Sequence, residues 1–139
     1  MRRLICLSAG VLALSGCTSQ PPETEANAPA EVVLPQDDRI LRFTGTEPFW
    51  GGSVEAGTMT YSTPENIDGT RIAVTRFDGR GGYSYTGTMG GEEVVLAIAP
   101  GACSDGMSDR SYPLNATLSF GAETRSGCAW HEGDDLGEP

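Results

Sequence analysis

The sequence predicts an all-β fold, a small antiparallel β-barrel or barrel-like sandwich of about seven to eight strands, and three observations carry that reading. Beyond Arg39 apolar and polar residues alternate in short runs, the period of a strand with one face buried. Turn-forming dipeptides, Asp68-Gly69, Asp78-Gly79 and Gly90-Gly91, sit between those runs. No stretch keeps a 3.6-residue apolar period through three turns, so nothing argues for a helix. Closing the sheet into a barrel would also remove its exposed edges, which favours the barrel in so small a domain.

Taken along the chain, residues 1–16 read as a secretory signal. Arg2 and Arg3 form a short positive region, residues 4–14 an apolar one too short to span a bilayer, and Leu14-Ser15-Gly16-Cys17 matches a lipobox. Cys17 is thus the expected lipidation site, and acyl chains at about 0.8 kcal/mol per buried methylene would tie the protein to a membrane. Thr18 stands where an inner-membrane retention signal has Asp, so by resemblance to that sorting rule the protein is expected on the outer membrane, facing the periplasm. Residues 17–37 carry Pro21, Pro22, Pro29 and Pro35 with few large apolar residues, the composition of a disordered tether.

Residues 38–131 form the expected β domain. The clearest strand is 114–120, with Leu114, Ala116, Leu118 and Phe120 on the buried face; 93–99 alternates likewise through Val94, Leu96 and Ile98. Runs at 58–62, 70–77 and 82–88 add β-branched and aromatic strands. Residues 132–139 read as an acidic tail, and His131 before it as a solvated terminal residue.

Charge narrows the partners. The chain has no lysine, nine arginines and nineteen carboxylates; loss of Arg2 and Arg3 with the signal leaves seven against nineteen, a net −12. Such a surface repels phosphate backbones, so no nucleic-acid partner is expected, whereas a cationic protein suits it. Of the four cysteines Cys6 leaves with the signal and Cys17 is lipidated. Cys103 and Cys128 remain, an even pair that reads as a disulfide in an oxidising compartment. Closing that loop contributes about 3.5 kcal/mol on the chain-entropy estimate. A metal or redox pair is the competing reading, weakened by the lack of CxxC spacing and by a single histidine.

Two blocks stand out. Residues 45–50, GTEPFW, place Phe49 and Trp50 beside Glu47; the aromatics read first as a plug for one end of the barrel and second as a recognition patch. Residues 103–113, CSDGMSDRSYP, hold a polar loop in which Ser104 or Asp105 caps free backbone N–H groups and Arg110 pairs with Asp105, Asp109 or Glu47. The loop lacks the ligand ladder of a calcium loop, and no metal or other cofactor is expected. With these blocks, and with Gly127-Cys128, the chain resembles a family of uncharacterised bacterial envelope lipoproteins over nearly all of residues 43–130. It is more distantly similar to META domains and to lysozyme inhibitors, which implies a small envelope β domain without implying an activity.

No nucleophile elbow, Ser-His or Cys-His pairing, or phosphate loop is present, so no enzyme is expected. The expectation is a non-enzymatic, lipid-anchored β domain that binds an envelope component or a small ligand. Its candidate surface is Glu47, Phe49, Trp50, Asp105, Asp109 and Arg110. The alternatives are an inhibitor of host lysozyme, a strongly cationic protein, and a hydrolase of unknown type using paired carboxylates.

Overall fold

A computed structural model of the protein describes residues 37–137. The signal segment, Cys17 and the tether up to residue 36 lie outside the described residues.

Eight strands follow one another as β1 (Leu41–Thr46), β2 (Phe49–Glu55), β3 (Thr58–Thr63), β4 (Asn66–Gly79), β5 (Gly82–Met89), β6 (Glu92–Cys103), β7 (Tyr112–Phe120) and β8 (Glu123–His131). Each pairs antiparallel with the next, and β1 also pairs with β8, so the sheet closes into a barrel. Leu41 stands opposite Val54 on one side and His131 on the other. The all-β barrel expected from the alternating runs is therefore the fold, with no free edge.

Alternation puts one residue in two inside. Leu41, Phe43, Met59, Val94, Leu96, Ile98, Ala116 and Leu118 are among the residues that fill the interior. The expected buried faces of β6 and β7 are thus the observed ones. Burying a side chain of this size stabilises by about 1.5–3 kcal/mol, which makes the filled interior the main source of stability.

Two expected turns move. Asp68-Gly69 lies within β4, not between strands; the β3–β4 turn is at Pro64-Glu65. Gly69, at φ +77°, lies close to an irregularity in register between Tyr61 and Thr63, so the glycine there serves a kinked strand. Asp78-Gly79 ends β4, and Arg80-Gly81 makes the turn. Gly90-Gly91 connects β5 to β6 as expected. Past His131 the chain does not leave as a free tail. Asp134 bonds back to the His131 backbone N–H and to Arg39, and the Ser111 N–H donates to the Leu136 carbonyl.

Candidate functional site

The GTEPFW block is the β1–β2 hairpin, with Gly45 opposite Trp50, Thr46 opposite Phe49, and a cis Glu47–Pro48 bond at the turn. Because successive strand residues face opposite ways, the two aromatics part company. Trp50 turns inward, 3% exposed, with its ring 5.6 Å from Phe43. Phe49 turns outward and stays 54% exposed. The plug reading holds for Trp50, which is thereby removed from the candidate binding surface, and fails for Phe49.

Trp50 fits because two glycines give way to it. A Cβ on Gly45 would lie 2.0 Å from Trp50 Nε1, and one on Gly127 would lie 3.0 Å from Cζ2. Among the described residues, Nε1 is the one buried side-chain polar atom without a hydrogen-bond partner.

The second block is the loop between β6 and β7. Cys103 and Cys128 form the expected disulfide, Cα atoms 5.6 Å apart, which ties the end of β6, where the loop begins, to β8. Inside the loop, Asp105 Oδ1 accepts the N–H groups of Met107 and Ser108, and Oδ2 accepts the hydroxyls of Ser108 and Tyr112. These donors hold the Asp105 carboxyl far below the usual carboxylate range against the desolvation that opposes them. Tyr112 in turn packs on Trp130 at 5.2 Å. The capping expected of Ser104 or Asp105 is performed by both, Ser104 Oγ accepting the Gly106 N–H. The pairing expected of Arg110 is absent: Asp105 is occupied by its own loop, and the Arg110 side chain has no hydrogen bond or ion pair among the described residues.

The two blocks, more than fifty residues apart in sequence, meet. Thr46 Oγ1 donates to the Asp105 carbonyl at 3.3 Å. In the two segments that this bond joins, Glu47, Phe49, Asp109 and Arg110 are exposed, and so is Met107, at 70%. Met107 was not among the sequence candidates; its place two residues beyond a capping Asp in a polar loop was the available signal.

A further polar cluster escaped sequence reasoning altogether. Arg76 occupies an inward position on β4 after Ile72 and Val74, lies 4.0 Å over the Tyr83 ring, donates to the Tyr85 hydroxyl and pairs with Asp78. The Tyr83 hydroxyl is 3.2 Å from His131 Nε2, and His131 Nδ1 is 3.3 Å from Asp37. Arg39 joins Asp37 to Asp134. His131 is buried, 8% exposed, so the expectation of a solvated terminal residue is corrected: the last strand ends inside the barrel mouth. Burial pushes the His131 pKa down, while Asp37 opposes. Burial raises that of the Tyr83 hydroxyl. Hydrogen bonds from Arg39 bring the Asp37 carboxyl down to about 2. The array is laid out like a proton relay, but with a neutral imidazole beside a phenol that keeps its proton it holds no activated nucleophile. It works as a clasp that fixes the chain's entry and exit at one mouth. A cleft of about 500 Å³ lies beside it, lined in part by Asp38, Val54, Glu55, Val74 and Tyr85.

No group of three or more His, Cys, Asp or Glu arranged to hold a metal occurs among the described residues. No protein-family model, curated protein or solved structure matches the chain.

Proposed function

We propose that the protein is a lipid-anchored envelope protein whose barrel is a non-enzymatic binding module, and that it engages a cationic envelope protein through the junction of the two motif blocks. The observation that carries this is the Thr46–Asp105 contact, which joins the hairpin bearing exposed Glu47 and Phe49 to the loop bearing exposed Met107, Asp109 and Arg110. Exposed large apolar side chains ringed by charge are the makings of a protein interface. The excess of carboxylates supplies attraction to a basic partner and speeds encounter at low salt. Cys17 and the Pro-rich tether are read as the anchor, placing the module at the periplasmic face of the outer membrane.

The test is photocrosslinking in intact cells with the reactive group at position 49, followed by mass spectrometry of the adduct. One basic envelope protein should dominate, and Met107→Ala should reduce its yield severalfold. A yield that Met107→Ala and Arg110→Ala both leave unchanged would sink the assignment of this surface.

The acidic excess also favours a second reading, inhibition of host lysozyme. Lysozyme assayed at low salt with an excess of the purified protein decides it: loss of activity supports inhibition, and full activity disposes of it.

A further inference from the structure

The outer face of β4 to β8 presents side chains that none of the roles above uses. Following the register across the five strands, Thr75, Thr86, Val95, Ser119 and Thr124 form one outward row. Two residues along, Phe77, Ser84, Ala97, Thr117 and Ser126 form the next. Neither row holds a charge, in a chain whose acidic excess is ten even before processing. Strand geometry sets the lattice, about 4.8 Å between strands and about 6.7 Å between rows. Seven of the ten positions carry hydroxyls, and among the described residues none of these hydroxyls makes a side-chain hydrogen bond. Phe77 stands at the end of its row, 70% exposed. Beside it a groove of about 320 Å³ runs over Gly81, Ala97 and Ala99 to Asn115, whose Nδ2 is spent on the Gly101 carbonyl while its Oδ1 stays free.

We infer that this face binds an uncharged polysaccharide strand, with Phe77 as the stacking platform. The chemistry matches on three counts. A pyranose ring has an apolar face of C–H groups that lies flat on an aromatic ring, and the small residues of the groove floor let it approach. Its ring hydroxyls both donate and accept, as the hydroxyls of Ser84 and Thr117 do, and they can donate to Asn115 Oδ1, directly or through water. An anionic polymer would need basic side chains, and these rows supply none. A neutral glycan is therefore the ligand that an acidic protein can hold on this uncharged face. The face is separate from the Thr46–Asp105 junction, so this inference does not rest on the protein-interface reading.

The experiment uses the full chain, purified in detergent micelles, titrated by calorimetry with chitotetraose, cellotetraose and maltotetraose up to about 10 mM, a range that captures the weak affinities of single sugar sites. At least one oligosaccharide should bind. Phe77→Ala should weaken it roughly tenfold, and Thr117→Val, which keeps the shape and removes the hydroxyl, should weaken it severalfold. Raising the salt should leave the affinity unchanged, because no charge takes part. Near-UV circular dichroism confirms that each variant stays folded; both positions lie outside the core. Absence of binding to all three sugars, full binding by folded Phe77→Ala, or binding that salt weakens would each overturn the inference.

Discussion

Replacing Gly45 by alanine tests whether the barrel is built around Trp50. The added Cβ would fall 2.0 Å from Nε1, 2.6 Å from Cε2 and 2.8 Å from Cδ1 of the indole. Ordinary contact starts at 3.4 Å, so the ring would have to retreat by about 1.4 Å. The indole has little room for that, because it is buried and Phe43 packs on it. Overpacking of this severity costs about 3 kcal/mol, the top of the usual range. Alanine is favoured over glycine in a strand by about 0.5–1 kcal/mol, which offsets part of that. The net loss of about 2 kcal/mol is a large fraction of the about 5–15 kcal/mol that holds a domain of this kind together. It should lower Tm by about 10 °C.

Urea denaturation followed by far-UV circular dichroism measures the loss, and a double-mutant cycle with Trp50→Phe assigns it. Phenylalanine shortens the side chain on the side facing Gly45. It also removes the buried, unpartnered indole N–H, a desolvation worth about 1–3 kcal/mol. In that background Gly45→Ala should cost under about 1 kcal/mol, leaving a coupling of about 2 kcal/mol between the two positions. Equal costs in both backgrounds, or a Gly45→Ala variant as stable as the parent, would refute the claim that glycine is there to seat the indole.

Three other perturbations have defined outcomes. Cys103→Ser with Cys128→Ser should lower stability by about 3.5 kcal/mol, read from urea denaturation, and a reducing agent should then have no further effect; an unchanged midpoint would mean the loop is held without its covalent tie. The folded-state pKa of His131 is lowered, so the unfolded chain takes up a proton first and stability falls as pH drops below about 6.5. His131→Gln should flatten the denaturation midpoint between pH 7 and 5, and an unaltered slope would show that the clasp does not control it. The Asp105 carboxyl is also lowered, so its contribution is complete above about pH 4 and is lost as pH falls below that. Asp105→Ala should speed hydrogen exchange at the Met107 and Ser108 amides at neutral pH while the barrel strands stay protected.

The parts of the fold that sequence reveals are those whose meaning is local. Leu114 to Phe120 shows its buried face because every second residue is apolar and the strand contains no glycine. β1 and β2 are harder to see: Gly45, Gly51 and Gly52 dilute the alternation, and the reason for Gly45 lies across the hairpin at Trp50. Asp68-Gly69 carries a turn signature, yet β4 runs through it because positive φ serves a kinked strand as well as a turn. The site divides the same way. Asp105 is legible as a cap because its donors at Met107 and Ser108 are two and three residues away.

His131 is illegible because its partners are distant in sequence, Tyr83 on β5 and Asp37 before β1, and meet it only when the barrel closes. One local clue to that cluster does exist. Arg76 falls on the apolar face of β4 two residues beyond Val74, where a charge is tolerated only if folding brings it partners. Tyr83, Tyr85 and Asp78 are those partners, two of them on the adjoining strand. A misplaced charge in an otherwise regular period is therefore informative about what faces it across the barrel. Phe77, next in the chain, is the reverse case: an apolar side chain on the outward face with nothing in the fold to cover it. Arg76 has its partners inside the molecule, and an uncovered Phe77 calls for one outside it.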